Sequence, residues 1–396
     1  MCELHSACSG GDVQVVKYVL SQKAVDINSR EWKMKKTPVM VAGEWGYKEV
    51  VELLAESGAD LSLSDKGGDN ILHLACDKGH VEVVEYVLSL DKVDINSRGR
   101  WKRTPLIIAG INGNKKVVEL LMRNGANPSL RDGPGKNILH YICWGGDVEV
   151  LKYILSLNKM DIDSRGERER TPLITAGLKG HKDVVELLVE NGADLSLTDK
   201  RGDNILHFAC DKGHVKVVEY VLSLHKVDIN SRGRWKKTPL LTAGHNGHRE
   251  VVELLLRNGA NLALRDASGD NILHYICWEG YVDFVKYVLS LHRVDINQKG
   301  WKERTPLLSA AFKGHKDVVE LLVQNGADLS VKDYAGDNIL HYISREGNVE
   351  IVKYVLSLDI VDINAVNDKG KSAAAIATSK GRREVVHFLV SHGANM

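Results

Sequence analysis

The sequence predicts an all-α fold in which pairs of short helices stack into a single continuous solenoid. The segment 70–103 recurs at 204–237 with only four changes, and related segments fill the chain between and beyond them. Apolar residues in each segment follow the 3.6-residue period of an amphipathic helix. Glycine-containing turns separate the helices. A helix pair of this size cannot bury a core alone, so neighbouring repeats must stack to supply one.

Two kinds of repeat alternate along the chain. The longer kind, such as 70–103, opens with asparagine, and the kind that is one residue shorter, such as 104–136, opens with threonine. The length of 396 residues alone suggests two or three domains. No stretch rich in proline, serine or like charges interrupts the repeats, so we expect one array over residues 1–396. Its predicted repeats are about 2–36, 37–69, 70–103, 104–136, 137–170, 171–203, 204–237, 238–270, 271–304, 305–337, 338–371 and 372–396.

Each repeat carries the signals of two helices in order. Asn70 in a longer repeat, or Thr104 in a shorter one, can cap the first helix, and a proline after the threonine suits the first turn. Further on, Gly79 or Gly113 can take the left-handed conformation that ends the helix. The second helix follows at once, with apolar and acidic residues on opposite faces. A polar stretch such as 131–136 then joins one repeat to the next.

The elements TPL, G(H/N)xxVVELL, NGA(D/N) and DxxG(D/K), which recur from repeat to repeat, resemble the ankyrin-repeat family over essentially the whole chain. The resemblance implies L-shaped repeats of two antiparallel helices with short β-hairpin tips, stacked into a curved solenoid. First helices and hairpins would line its concave side, and the histidines of the repeat would be structural. The longer repeats depart from the family pattern at 89–92, where a glycine turn is replaced, and at their tips, which read SRGRWKR.

Bulk composition limits the partners and the compartment. Lys plus Arg, 53, nearly equals Asp plus Glu, 52, which argues against binding to nucleic acid or an anionic membrane by overall charge. No run of about 18 apolar residues occurs. The sequence therefore predicts a monomeric cytoplasmic protein, with the nucleus as the alternative compartment. Four cysteines occupy the same site in successive longer repeats, and we expect buried thiols at Cys76, Cys143, Cys210 and Cys277.

The sequence contains no complete catalytic or metal-binding motif of the common types. His73, Cys76 and His80 have the side chains of a zinc site, but a glycine interrupts the helix between them and closed structural sites need four ligands. The segment 369–372 reads KGKS, but Ala365 stands where a phosphate loop needs its leading glycine. No HExxH or GxSxG motif occurs. The sequence predicts a protein that is not an enzyme and binds no metal or cofactor.

A position at the end of the first helix is the first candidate contact. It is charged in several repeats, as at Asp77, Asp211 and Arg345, so this position must be exposed. Two runs of three successive repeats carry apolar or aromatic residues there, and such clusters at an exposed position favour partner contact. If repeats advance by roughly 10 Å, the two patches lie about 40 Å apart. The first patch is Ile111, Trp144 and Leu178, and the second is His245, Trp278 and Phe312.

The tips of the longer repeats are the second candidate contact. Arg100 with Trp101, and Arg234 with Trp235, combine cationic and aromatic side chains. Such tips could stack on bases and neutralise phosphates. Alternatively, neighbouring tips of opposite sign pair and tryptophan packs against arginine. The near-neutral net charge favours the second interpretation, or an acidic protein segment. The sequence thus predicts a protein-interaction scaffold that binds along the concave face and the tips. The alternative is a binder of nucleic acid or a phosphorylated ligand through the basic tips.

Overall fold

A computed structural model describes residues 3–22 and 25–395 of the chain. In that part every regular element is a helix, with twenty-four α-helices of seven to nine residues and four short 3-10 turns. The chain divides into two compact units, residues 1–200 and residues 201–396, here called the N-terminal half and the C-terminal half. The predicted all-α fold of stacked helix pairs is confirmed.

In the N-terminal half, odd-numbered helices are the first helices of their repeats and pack on one another in chain order, α1 on α3 through α9 on α11. Even-numbered second helices form a second layer, in which α2 packs on α4 and so on to α12. Two 3-10 turns, Arg100–Lys102 and Glu167–Glu169, lie in the tips. The helices are α1 (Glu3–Gly10), α2 (Val13–Ser21), α3 (Pro38–Trp45), α4 (Lys48–Glu56), α5 (Ile71–Lys78), α6 (Val81–Ser89), α7 (Pro105–Ile111), α8 (Lys115–Arg123), α9 (Ile138–Gly145), α10 (Val148–Ser156), α11 (Pro172–Lys179) and α12 (Lys182–Glu190).

The C-terminal half repeats this arrangement, with α13 packed on α15 and each later first helix on the next. Its tips contain the 3-10 turns Arg234–Lys236 and Trp301–Glu303. The helices are α13 (Ile205–Lys212), α14 (Val215–Ser223), α15 (Pro239–His245), α16 (Arg249–Arg257), α17 (Ile272–Glu279), α18 (Val282–Ser290), α19 (Pro306–Lys313), α20 (Lys316–Gln324), α21 (Ile339–Glu346), α22 (Val349–Ser357), α23 (Ala373–Ser379) and α24 (Arg383–Ser391).

The predicted helix signals act as expected. The hydroxyl of Thr104 accepts the N–H of Ile107 at 3.3 Å, and the Asn70 side chain accepts the N–H of His73 at 3.2 Å. Gly79 follows α5 in the left-handed conformation, with φ of 76°. These contacts satisfy backbone groups that a helix end leaves unpaired. The side-chain caps thus fix where these first helices begin, and Gly79 ends α5 after two turns.

The core of each half lies between the two layers of helices. Val83, Val84 and Val87 of α6 are fully buried, as are Ile71 and Leu72 of α5. The four equivalent cysteines are also buried within the first-helix layer, as predicted. Burial raises the pKa of these thiols far above its usual range, which keeps them protonated and unreactive.

Buried histidines connect the first helix to the tip of the same repeat. The Asn70 N–H donates to Nδ1 of His73 at 3.2 Å, and Nε2 of His73 lies 3.2 Å from the Arg103 carbonyl oxygen. A second histidine links repeats, because Nε2 of His80 lies 3.0 Å from the carbonyl oxygen of Glu44 in the preceding repeat. Both are structural histidines, as the family resemblance implied. Neither points to a metal site.

The second helices end differently in the two kinds of repeat. After α8 the left-handed residue is Gly125, with φ of 88°. After α6 it is Asp91, with φ of 50°, and the longer repeats that follow also place non-glycine residues there. A left-handed backbone costs an L-residue roughly 1–2 kcal/mol. The remaining members of this set are Asn158, His225, His292 and Asp359.

Relief of this strain is testable at His225, whose side chain is exposed. We expect His225→Gly to raise the free energy of unfolding by about 0.5–1 kcal/mol, because glycine adopts positive φ without a steric cost but gains entropy when unfolded. Gly259→Ala, at the equivalent site of the next repeat, should lower it by about 1 kcal/mol. Urea unfolding followed by circular dichroism measures both. Equal destabilisation by the two variants would contradict the prediction.

Candidate functional site

The candidate contact position at the end of the first helix is accessible to solvent in every repeat. It is never buried, and at Trp144 the exposed fraction reaches 49%. Ile111, Leu178, His245, Trp278 and Phe312 are half-buried there. The position can therefore contact a partner, while the backbone that carries it is fixed by packing of the first helices.

In the C-terminal half the predicted patch forms a cluster of rings. Trp278 and Phe312 stack with centroids 5.3 Å apart and planes inclined by 22°. His245 instead packs edge-on against Tyr275 of the next repeat, at 4.9 Å. The three predicted residues thus lie in one row, but Tyr275 extends it, and sequence reasoning did not identify that tyrosine.

A groove opens beside this row, with a volume of about 440 Å³. We call it the aromatic groove. Its volume falls in the range of ligand-binding clefts, and side chains with a polar edge and an apolar body line it. It joins a first-helix patch to a tip, because Trp301 belongs to a tip and remains 47% exposed. The lining residues are His245, Ser268, Asp270, His274, Tyr275, Trp278, Trp301, Arg304 and Ser309.

Arg304 crosses the groove between aromatic rings. Its guanidinium carbon lies 4.9 Å from the Trp301 ring centroid, 5.0 Å from that of Phe312 and 5.1 Å from that of Tyr342. Its Nε donates to the Tyr342 hydroxyl at 2.7 Å, and this hydroxyl donates to Asp333 at 2.6 Å. The guanidinium is therefore held in place by a chain of hydrogen bonds and by cation–π contacts.

Three lysines surround the groove. Lys237 lies 4.2 Å from the Tyr275 ring centroid, Lys302 lies 4.5 Å from that of Trp301, and Lys313 lies 4.7 Å from that of Trp278. Burial, as the largest cause, lowers the pKa of Lys237. Asp270 supplies negative charge within the lining, and its carboxylate accepts the backbone N–H of Trp301 at 2.8 Å. Three aromatic rings at the groove thus each carry a lysine ammonium group.

The patch of the N-terminal half has a different character. Trp144 lies at the end of α9, and the Lys179 ammonium lies 3.7 Å from its ring centroid. Lys136 approaches the same ring at 5.9 Å. Ile111 and Leu178 lie at the ends of α7 and α11, the first helices on either side. This patch therefore presents one tryptophan with lysine beside it, whereas the C-terminal patch presents several rings in contact.

Tyrosine–aspartate pairs support both patches, and sequence reasoning missed them. Tyr141 donates to Asp132 at 2.5 Å, and the Arg103 guanidinium carbon lies 5.2 Å from its ring centroid. Burial raises the pKa of Tyr141 to about 12, so the hydroxyl stays protonated and donates. The sequence does offer a signal for these tyrosines, because a large apolar or aromatic residue stands four positions after the capping asparagine of each longer repeat. This position holds Leu74, Tyr141, Phe208, Tyr275 and Tyr342.

The tips are tight turns, and the one β-pairing among the described residues is an isolated bridge between 366 and 372. Trp101 and Trp235 project from them and are 64% and 59% exposed. Both have a left-handed backbone, with φ of 60° and 55°. Their carbonyl oxygens accept N–H groups from the next tip, that of Gly133 at 2.6 Å and that of Ala267 at 2.8 Å. Backbone hydrogen bonds therefore join adjacent tips while the indoles face solvent.

Part of the basic charge of the tips is structural. Arg98 donates to the Lys102 carbonyl oxygen at 2.8 Å and also to the Arg131 carbonyl oxygen of the next tip. Arg232 makes the equivalent bonds. Arg234 instead lies over Trp235, with the guanidinium carbon 3.7 Å from the ring centroid. This contact supports the interpretation that arginine packs on tryptophan within the tip.

Substitution can distinguish the arginine that bonds to carbonyl oxygens from the arginine that packs on tryptophan. We expect Arg232→Ala to lower the free energy of unfolding by about 1 kcal/mol, since it removes hydrogen bonds to two carbonyl oxygens at an exposed site. Arg234→Ala, the matched variant in the same tip, should leave stability within about 0.5 kcal/mol of the wild type. Urea titrations of the two variants measure the difference. Equal effects would show that the first arginine of the tip has no special structural role.

Within residues 3–22 and 25–395, no three His, Cys, Asp or Glu side chains are grouped so as to hold a metal ion. Both ring nitrogens of the candidate ligand His73 make hydrogen bonds within the same repeat. Among the helices described, none has the length and apolar character to cross a bilayer.

Comparison with known proteins identifies the architecture. The family model for ankyrin repeats, in a form with three copies, matches overlapping segments that together run from residue 2 to residue 396. The chain belongs to the ankyrin-repeat family. Ankyrin repeats generally mediate protein–protein interaction, and the repeat fold is typically non-catalytic. The matched segments are 2–65, 57–132, 112–199, 139–233, 193–266, 221–300, 240–333 and 307–396.

Relatives of this ankyrin-repeat chain include much longer proteins. Transient receptor potential cation channel subfamily A member 1 of Homo sapiens is 26% identical over 449 residues, which cover all of this chain and 40% of the relative. E3 ubiquitin-protein ligase KEG of Arabidopsis thaliana is 27% identical over 85% of this chain and 20% of its own length. Ankyrin repeat protein nuc-2 of Neurospora crassa is 25% identical over 75% of this chain and 25% of its own length. The chain spans no more than two fifths of these relatives.

Proposed function

We propose that this ankyrin-repeat chain is a non-enzymatic scaffold that binds a partner protein along its first-helix ends and its tips. The observation that carries the proposal is the aromatic groove, where Trp278, Tyr275 and Trp301 line one cavity beside Arg304. Aromatic and arginine side chains are the residues most enriched at the energetic centres of protein interfaces. The groove lies where a first-helix end meets a tip, so both predicted contact surfaces reach it.

The proposal extends to the remaining contact positions. The chain acts as a monomer and one continuous array over residues 1–396, in the cytoplasm or, as the alternative, in the nucleus. Its partner is a protein, and nucleic acid is the rival. The proposed contact residues are Ile111, Trp144, Leu178, His245, Trp278, Phe312, Trp101, Arg100, Trp235 and Arg234.

The rival function is binding of nucleic acid or a phosphorylated ligand by the tips. Trp101 and Trp235 are exposed enough to stack on bases. However, Arg98 and Arg232 are already bonded to carbonyl oxygens, and the net charge of the chain is +1. Non-specific nucleic-acid binding depends on many cations that are free to reach phosphates, and these two side chains are held against the backbone. These contacts favour a protein partner.

Affinity capture from host lysate tests the proposal, with eluates analysed by mass spectrometry. The wild-type chain and Tyr18→Ala, which removes an exposed aromatic ring on a second helix, should capture the same protein. Trp278→Ala should lose most of it. Samples treated with nuclease should give the same result. Capture that nuclease abolishes would favour the rival and contradict the scaffold proposal. Capture that resists nuclease but is unchanged in Trp278→Ala would contradict the placement of the partner at the aromatic groove.

A further inference from the structure

We infer that the aromatic groove binds an extended acidic segment of the partner protein, in which a carboxylate pairs with Arg304 and a neighbouring apolar side chain packs on Trp278. The inference rests on the function proposed above and specifies the chemistry of the partner. It follows from three features of the groove: a guanidinium whose terminal nitrogens are available to donate, lysines over the rings that pair with no carboxylate of the described residues, and accessible aromatic rings.

Arg304 differs from its equivalents in the N-terminal half. The side chains of Arg103 and Arg170 approach buried carboxylates, with Nε 3.9 Å from Asp132 and 3.7 Å from Asp199 respectively. Arg304 donates through Nε to the Tyr342 hydroxyl instead. Within the described part of the chain its guanidinium has no carboxylate oxygen within 4.0 Å, and its two terminal nitrogens donate no hydrogen bond. Such a guanidinium can bind a carboxylate through two parallel bonds.

The charges around the groove favour an acidic ligand. Lys237, Lys302 and Lys313 lie over three of its rings, and their ammonium groups add to the charge of Arg304. The Asp270 carboxylate is bonded to the backbone N–H of Trp301 and lies 3.9 Å from Nε2 of His274. Outside the lining, Asp266 accepts the Tyr275 hydroxyl at 2.5 Å and Glu303 pairs with Lys299 at 2.8 Å, while Glu279 adds a negative charge near His245. Complementary charge selects partners and speeds encounter, and like charge excludes basic segments.

The rings supply the apolar part of the site. Trp278 and Phe312 stack on each other, and the parts of both rings that remain exposed provide apolar surface next to Arg304. Trp301 lies across the groove, with the Arg304 guanidinium 4.9 Å from its ring centroid. A carboxylate on Arg304 would therefore lie close to exposed aromatic surface. A segment with an apolar side chain next to its acidic residue would cover this aromatic surface. A purely acidic segment would leave the surface in contact with water.

Fluorescence polarisation with the full chain tests this inference. The probes are three labelled peptides of equal length in which leucine alternates with glutamate, glutamine or lysine. We expect the glutamate peptide to bind at least about tenfold more tightly than the glutamine peptide, and the lysine peptide to bind most weakly. Arg304→Gln should abolish the preference for glutamate over glutamine, and Arg304→Lys should retain part of it. Trp278→Ala should weaken the glutamate and glutamine peptides alike.

Arg257→Gln, on the second helix α16, is the matched control and should leave all three affinities unchanged. A glutamate preference that survives in Arg304→Gln, or no detectable binding of the glutamate peptide, would overturn the inference. The scaffold proposal has a separate outcome. A captured partner that is lost with Trp278→Ala but retained by Arg304→Gln would support the proposed function while rejecting the acidic segment. Circular dichroism melts verify that each variant is folded.

Discussion

Replacing Trp278 with alanine is expected to weaken binding of the captured partner about thirtyfold, because truncating an aromatic anchor at an interface commonly costs about 2 kcal/mol. Trp144→Ala should have a similar effect if the patch of the N-terminal half is a second anchor. Both indoles are accessible and lie outside the core, so the melting temperature should change little. Isothermal titration of the two variants with the purified partner measures the affinities.

The control for this experiment is Val84→Ala, a change in the fully buried core of α6. It should lower the melting temperature clearly, since it removes buried methyl groups and leaves a cavity. Unchanged affinity in both tryptophan variants would place the interface elsewhere. A melting temperature lowered as far as that of Val84→Ala would show instead that the tryptophan belongs to the core.

Lowering the pH from 7 to 5 is expected to destabilise the protein through its buried histidines. Burial, as the largest cause, lowers the pKa of His73, His140, His274 and His341, and that of His140 falls to about 4. An unfolded histidine takes up a proton near pH 6.5. The unfolded state therefore binds more protons than the native state below that pH. For His140 the stability contribution is complete above pH 6.5, declines as the pH falls below that value, and is fully lost once the pH has fallen through about 4.

The expected size follows from proton linkage. For His140 the free energy of unfolding falls by up to about 1.4 kcal/mol per pH unit between its folded and unfolded pKa values, which amounts to about 2 kcal/mol between pH 6.5 and pH 5. His140→Gln removes the titrating ring and should flatten the pH profile by about that amount. Urea unfolding at several pH values gives both curves. Val84→Ala should lower stability equally at every pH, and a His140→Gln profile parallel to the wild type would contradict the prediction.

The same titrations test the proposal of one continuous array. Repeats coupled only to their neighbours still unfold together when the coupling between them is strong. We therefore expect circular dichroism and tryptophan fluorescence to report a single coincident transition. Two separable transitions would show that the chain contains two independent folding units.

Local features of the fold could be read from the sequence because they depend on residues close together in the chain. Asn70, Thr104 and Gly79 each act within one helix end, so their types and spacing suffice to place the ends. The accessible helix-end position could also be predicted. Charged residues at equivalent positions of other repeats exclude it from the core, which identified Trp144 and Trp278 as accessible.

Contacts between repeats could not be predicted in the same way. Tyr342 bonds to Asp333 and to Arg304, both of preceding repeats, a combination that requires the stacking geometry. The sequence grouped His245 with Trp278, yet its ring packs on Tyr275. Likewise the charge of Arg98 was visible, but its hydrogen bonds to carbonyl oxygens were not. Side-chain direction decides these cases, and periodicity carries little information about it.

At the tips, the backbone of one residue joins neighbouring repeats while its side chain remains available for recognition. At positions 101, 168, 235 and 302 the backbone carbonyl oxygen bonds to the next tip. The side chains there are Trp, Arg, Trp and Lys. Because a carbonyl group is common to all residues, mutation can change the chemistry of a tip without deleting the bond that joins it to its neighbour. Only the left-handed backbone restricts the choice, chiefly against β-branched residues. These positions are therefore suited to rapid divergence and to the engineering of new specificity.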